Sequence, residues 1–277
     1  MPAPIKALVL TGYGTNCEME MAQACRLGGF DQVDIVHMAE LLAGEYRLDD
    51  YHMLNLPGGF LDGDDLGAGQ AGAHRWRYAV VRPDGERLMD QLARFIEAGK
   101  LVLGVCNGFQ LLVKTGLLPG FDGRYDERRV SLTYNDSSRF EDRWVHLAVD
   151  PDSPCVFTRG LDTLFFPVRH GEGKFVTDEK ATLDRILADH LAALRYADPE
   201  SGEPTMSYPA NPNGSPAAVA GICDPSGRIF DLMPHPEAFL HRTNHPRWTR
   251  EKDNLPEEGQ GVALFRNAAD YIRATLV

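Results

Sequence analysis

Long apolar runs are missing from this 277-residue chain, and no segment approaches a membrane-spanning helix, which needs roughly 20 predominantly apolar residues. Positive charge is also scarce. Lys and Arg total 28 against 40 Asp and Glu, a formal net charge of −12. That balance excludes nucleic-acid binding through a broad basic face and leaves room only for a local basic patch. The five cysteines are an odd number, irregularly spaced and without a Cys-x-x-Cys pair, which argues against a disulfide framework and a zinc knuckle alike. No phosphate-binding G-x-x-x-x-G-K-[ST] loop, no repeat and no low-complexity tract is present. The first residues carry no apolar stretch of signal-peptide type. The expectation is a reduced, cytoplasmic protein with neither membrane nor nucleic acid as partner and with no metal ligand set. Apolar residues at 43% are close to the globular average, enough for a large core without staples.

Short apolar runs alternate with helical spacing through the first half. Ile5–Leu10, Val33–His37, Tyr51–Leu56 and Leu101–Val105 read as strands. Asn16–Leu27, Asp64–Val81, Glu86–Ala98 and Gly108–Thr115 read as helices, several closed by glycine. Such alternation implies parallel pairing with helices on both faces of the sheet. In the second half Val130–Tyr134, Trp144–Val149, Leu164–Arg169, Leu191–Tyr196, Ala217–Ile222 and Arg228–Met233 read as strands with few helices between them, and Val262–Thr275 as a closing helix. The fold class expected is α/β: an open, largely parallel central sheet with a flavodoxin-like core and an antiparallel extension, in one domain over residues 1–277. Residues 201–215 and 241–261 are rich in Pro, Gly, Asn and charge, and such long loops are more often functional than filler.

The most informative stretch is Leu101-Val102-Leu103-Gly104-Val105-Cys106-Asn107-Gly108-Phe109-Gln110. An apolar strand enters Gly-x-Cys-x-Gly and leaves as a helix, the cysteine form of a nucleophile elbow. The abrupt turn forces Cys106 into a strained conformation, and Gly104 and Gly108 remove the side chains that would collide there. The start of the helix favours a thiolate through its free N–H groups. A thiol nucleophile also needs a base and a group to orient it. His235 and Glu237 in Met233-Pro234-His235-Pro236-Glu237 offer both, two residues apart and directly after a strand. Pro57-Gly58-Gly59-Phe60 follows the third strand, so the backbone amides of Gly59 and Asn107 are candidates to receive an oxyanion.

These three motifs, in this order, resemble the class I (triad) glutamine amidotransferases. Further stretches strengthen the likeness to the branch serving a synthetase of de novo purine biosynthesis: Gly14-Thr15-Asn16-Cys17-Glu18, Gly116-Leu117-Leu118-Pro119-Gly120, His170-Gly171-Glu172-Gly173 and Asn211-Pro212-Asn213-Gly214-Ser215. The resemblance runs over nearly the whole chain. It implies that Cys106 attacks the side-chain amide of glutamine, that His235 serves as general base and then acid, and that Glu237 orients it. It also implies that Gly58, Gln110, His170 and Gly171 contact the substrate. No cofactor is implied for this chain. ATP and Mg²⁺ are expected on a large synthetase subunit that receives the ammonia and amidates formylglycinamide ribonucleotide, with a small third subunit in the assembly.

Some stretches depart from the family pattern. Leu61-Asp62 intervene before Gly63-Asp64, Gly67 stands where the family has arginine, and residues 71–86 and 241–261 are expanded. Cys17, at a helix start, is read as structural or interfacial, and Cys25, Cys155 and Cys223 as packing. Three other readings stay open on residues alone: a glutaminase serving another synthetase, a stand-alone cysteine hydrolase, and a non-catalytic adaptor of the same fold.

Overall fold

The computed structural model describes residues 3–277. The first half runs β1 (Lys6–Thr11), α1 (Glu18–Gly28), β2 (Gln32–His37), α2 (Met38–Ala43), β3 (Met53–Leu56), α3 (Gln70–Tyr78), β4 (Val80–Val81), β5 (Glu86–Arg87), α4 (Leu88–Glu97), β6 (Leu101–Val105) and α5 (Asn107–Thr115). The second half runs β7 (Val130–Thr133), β8 (Glu141–Val149), β9 (Thr163–His170), β10 (Lys174–Thr177), α6 (Lys180–Ala188), β11 (Leu194–Ala197), β12 (Val219–Cys223), β13 (Ile229–Leu232), α7 (Trp248–Glu251) and α8 (Val262–Thr275). Among the described residues, no helix is long and apolar enough to cross a membrane.

One nine-stranded sheet has the order β2-β1-β3-β6-β13-β12-β11-β8-β9. From β2 to β13 every pair is parallel, and from β13 to β9 every pair is antiparallel. The expected parallel core with an antiparallel extension is therefore present. Right-handed crossovers place α1 on one face and α2 to α5 on the other. In agreement, α1 packs against α8, while α3 packs against α4 and α5. Strands β3, β6, β12 and β13 are buried along their whole length, as central strands covered on both faces must be.

Several details differ from the sequence reading. The helix expected over Asp64–Val81 begins only at Gln70, because Gly67 and Gly69 hold left-handed backbone at φ 96° and 72°. Val130–Thr133 leaves the main sheet and pairs antiparallel with Lys174–Thr177 in a separate ribbon. Both Lys174–Thr177 and α6 escape the sequence reading, being short. Residues 71–86 form most of α3 and the β4–β5 hairpin, and residues 241–261 hold a turn of 3-10 helix and α7.

Candidate active site

The β6–β13 pair sets the geometry. Leu232 lies in register with Val105, and the Cys106 N–H donates to the Leu232 carbonyl at 2.8 Å. Parallel pairing thus brings both strands out at one edge, where Cys106 leaves β6 and Met233-Pro234-His235 leaves β13. Open α/β sheets place their ligands at this edge. Cys106 has φ 53° and ψ −102°, strained backbone of the kind stored at functional sites. The glycines around it are required: a Cβ on Gly108 would lie 2.1 Å from the Leu56 carbonyl oxygen, and one on Gly104 2.5 Å from Asp231 Oδ1.

His235 and Glu237 are both buried. The imidazole Nδ1 lies 2.6 Å from Glu237 Oε1, and the His235 N–H donates to the Pro167 carbonyl at 2.8 Å, which anchors the segment to β9. His235 Nε2 has no hydrogen-bond partner. The Cys106 thiol faces the Arg169 carbonyl, with sulfur and oxygen 3.6 Å apart. Burial pulls the His235 imidazole down, but the Glu237 carboxylate, followed by a Cys106 thiolate, holds it well above its ordinary value. The environment beside Cys106 therefore favours the charged imidazolium at His235.

Both residues line a cavity of about 440 Å³, together with Gly59, Gln110, Arg169, His170 and Gly171. The Gly59 and Asn107 amides donate no hydrogen bond among the described residues. Gly59 lines the cavity, and Asn107 heads α5 directly after the thiol. Gly58 does not reach the cavity. It lies against the imidazole, where a Cβ would sit 2.6 Å from His235 Cε1 and 3.3 Å from Cys17 Sγ. Gln110 borders the cavity with its amide already employed: Nε2 donates to the Glu172 carbonyl at 2.7 Å, and Oε1 accepts from Asn107 Nδ2 at 3.0 Å. It ties the 170–173 loop to the elbow rather than presenting a free amide to a substrate.

Residues 4–272 match the model of the CobB/CobQ-like glutamine amidotransferase domain. The chain belongs to that family. The protein named phosphoribosylformylglycinamidine synthase subunit PurQ from Dehalococcoides mccartyi is 45% identical over 269 residues, covering 97% of this chain and 98% of that one. A PurQ of the same name from Methanococcus maripaludis is 41% identical over 276 residues, covering 96% and 97%. Among solved structures, PurLQS from Thermotoga maritima matches with a TM-score of 0.69 and 27% identity over 98% of this chain and all of that one. The resemblance read from the motifs is borne out.

Asn135 and Lys114 of this glutamine amidotransferase site lie in none of the sequence motifs, and the motif that holds Cys17 does not announce its place. Asn135, in the turn after β7, donates through Nδ2 to the Arg139 and His170 carbonyls, at 2.9 and 2.8 Å. Its Oδ1 accepts from the Gly173 N–H at 2.9 Å and lies 3.0 Å from His170 Nδ1. The two Nδ2 bonds set the amide orientation, so His170 Nδ1 carries the proton and Nε2 keeps its lone pair. Burial, and then the nearby His235, push the His170 imidazole down to about 3, so it stays neutral. Cys17, read as structural or interfacial, lines the same cavity and approaches His235. The only local hint is the Gly-Gly after β3, which leaves space for this approach. Lys114, buried on α5, lies near Gly67, where a Cβ would be 3.8 Å from its Nζ and 3.9 Å from Glu172 Oε2. A cation thus stands close to the position where the family pattern has arginine.

Proposed function

We propose that the chain is the glutaminase subunit of a phosphoribosylformylglycinamidine synthase, folded as one glutamine amidotransferase domain over residues 1–277. Cys106 is the nucleophile, His235 the general base and acid, and Glu237 the residue that orients the imidazole. One observation carries this reading: adjacent parallel strands deliver a strained cysteine and a carboxylate-held imidazole to a common cavity.

The chemistry follows from the charges. A Cys106 thiolate attacks the side-chain carbonyl carbon of glutamine, and the oxyanion that forms accepts hydrogen bonds from the Gly59 and Asn107 amides. His235 gives its proton to the leaving nitrogen, so that ammonia departs and a γ-glutamyl thioester remains. The neutral imidazole then takes a proton from water as that water attacks the thioester. The C–S bond breaks, glutamate leaves, and the sulfur departs as a thiolate beside the reprotonated imidazole, which restores the starting state. Throughout, Glu237 holds the ring in position and stabilises its protonated form. Gly171 and the neutral His170 form the wall on the side of β9.

Ammonia passes to a large synthetase subunit, which uses ATP and Mg²⁺ to convert formylglycinamide ribonucleotide to the amidine, and a small third subunit completes the assembly. This chain needs no cofactor of its own, works in the cytoplasm, and takes neither nucleic acid nor membrane as a partner. Relatives 41–45% identical bear the subunit name. At the cavity mouth Phe60, Tyr134 and Phe140 are 46%, 68% and 57% exposed. Large apolar side chains gathered at one opening are what a docked partner covers. Cys106→Ala in the reconstituted complex should abolish glutamine-dependent synthesis and leave synthesis from ammonium salts intact. Glutamate release that survives in this variant would refute the role of Cys106.

A further inference from the structure

The two oxyanion donors sit on different elements, Gly59 after β3 and Asn107 at the head of α5, and their separation has to be fixed. Main-chain contact does part of this: a Cβ on Gly108 would lie 2.1 Å from the Leu56 carbonyl oxygen, so the first turn of α5 rests on the end of β3. On its other side the Gly58–Phe60 segment is held by residues 14–16. The Phe60 N–H donates to the Gly14 carbonyl at 2.7 Å, and the Asn16 N–H to the Gly58 carbonyl at 3.3 Å. Toward α5 the hold is a side chain. Asn107 Oδ1 accepts from the buried Leu61 N–H at 2.9 Å, two residues beyond Gly59. Asn107 thus turns its main-chain N–H to the reaction and its side chain to the segment that carries the other donor.

The orientation of that side chain is set from outside. Gln110 Nε2 donates to the Glu172 carbonyl at 2.7 Å, which leaves Gln110 Oε1 facing Asn107. Oε1 needs a donor, so Asn107 presents Nδ2 to it at 3.0 Å and Oδ1 to Leu61. The relay starts at a main-chain N–H and ends at a main-chain carbonyl. Turning over either amide would therefore set donor against donor at one end and acceptor against acceptor at the other. Asn107 and Gln110 are 2% and 4% exposed, so water does not replace a lost partner and the mismatch costs the full desolvation of each group. The far end is anchored as well. Glu172 Oε2 accepts from the Ala68 N–H at 3.2 Å, and Lys114 of α5 donates to the Ala68 carbonyl.

On the reading that the Gly59 and Asn107 amides receive the oxyanion, we propose that the Asn107 side chain is a positioning residue that fixes those two donors relative to each other, with Gln110 and Glu172 setting its orientation. The oxyanion forms twice, as the thioester is made and as it is hydrolysed, so the relay acts on kcat rather than on glutamine binding.

Asn107→Ala removes the relay and keeps both main-chain amides. Losing one oxyanion donor costs about 10²- to 10³-fold in kcat, and a donor present but unfixed costs part of that, so glutaminase kcat should fall about 10- to 100-fold with KM little changed. Alkylation of Cys106 by iodoacetamide, followed by mass spectrometry of the labelled peptide, displaces iodide at a saturated carbon and forms no oxyanion. Its rate should match that of the wild type, and ammonium-dependent synthesis in the reconstituted complex should hold. Asn107→Asp keeps the acceptor for Leu61 but gives Gln110 Oε1 a donor only when protonated, and burial against that oxygen raises such a carboxyl. Its kcat, relative to wild type at the same pH, should therefore climb as the pH is lowered. Wild-type kcat in Asn107→Ala, an equal fall in its alkylation rate, or a pH-independent ratio for Asn107→Asp would overturn the role. Failure of the underlying glutaminase reading shows differently, as glutamate release that survives in Cys106→Ala.

Discussion

Gly58→Ala isolates the position of the imidazole from every other property of the site. The Gly58 backbone lies outside the left-handed region, so alanine adds a methyl group without adding backbone strain. That methyl carbon would sit 2.6 Å from His235 Cε1, whereas ordinary van der Waals contact begins near 3.4 Å. The ring must retreat by about 0.8 Å. It cannot do so freely, because Glu237 holds Nδ1 and the Pro167 carbonyl holds the backbone. A misplacement of about 1 Å costs on the order of 10²-fold in rate, which corresponds to about 2.7 kcal/mol on the barrier. The same overpacking costs about 1–3 kcal/mol of stability, too little to unfold a typical domain of this size. The assay is glutamate release and product formation in the reconstituted complex, with ammonium salts as the control. Glutamine-dependent kcat/KM should fall about a hundredfold while ammonia-dependent synthesis holds. A variant within threefold of wild type on glutamine would refute the claim that the ring is held in place to this tolerance.

Glu237→Gln keeps the shape and removes the charge that raises His235, so glutaminase kcat should fall by about 10²- to 10⁴-fold; retention of wild-type kcat would show that the carboxylate is dispensable. His170 titrates at about 3 when folded and near 6.5 otherwise. Between those values only the unfolded chain takes up the proton, so stability is lost as pH falls from 6.5, by up to about 1.4 kcal/mol per unit. Denaturant titrations at pH 7, 6 and 5 should show a shallower loss for His170→Asn, and identical slopes would disprove it. Asp231 behaves oppositely: it is fully buried with both oxygens unpartnered, and burial holds its carboxyl well above the usual value of 3.8. Here the folded chain keeps a proton that the unfolded chain releases, so stability falls as pH rises above 3.8. Asp231→Asn should therefore gain stability relative to wild type with each unit of rising pH, and a pH-independent difference would count against a protonated Asp231.

Local chemistry was legible in the sequence, and pairing across distance was not. Gly104-x-Cys106-x-Gly108 announces an elbow because strain, glycine and helix start all lie within a few residues. His235 and Glu237 are similarly local. That β13 lies next to β6 cannot be read from either strand, since both are short, fully buried and, Asp231 apart, apolar, and would fit any central position. The family resemblance implied that His235 serves Cys106, but the strand pairing that brings them together appears only in the structure. Gln110 shows the reverse case: the motif marks the residue, but its task becomes visible only once Asn107 and the Glu172 carbonyl are seen to occupy both ends of its amide. Cys17 reaches His235 through a third element, the turn after β3, and no pattern in its own segment reports that approach. In the β7–β10 ribbon β7 was legible as a strand, whereas β10 is four residues long, too short for a pattern to exceed chance, and the pairing of the two crosses about 40 residues.

The precision of the site comes from buried strands rather than from the loops that carry its side chains. The Leu232–Val105 register fixes the level at which both chains leave the sheet, and a slip of one residue would turn every side chain of β13 to the opposite face. Because both faces of β13 are buried, such a slip would force the packed cores on both sides to rearrange, and that packing holds the register. From that level Cys106 is the next residue on one strand, and His235 lies three beyond Leu232 on the other, with Pro234 and Pro236 restricting the backbone on either side. Sites supported in this way tolerate change at their periphery. The expanded 71–86 and 241–261 segments fit that rule, because neither contributes a residue to the triad or to the paired strands beneath it. Neither segment lines the cavity, so variation in them alters other surface while the thiol and the imidazole keep their places.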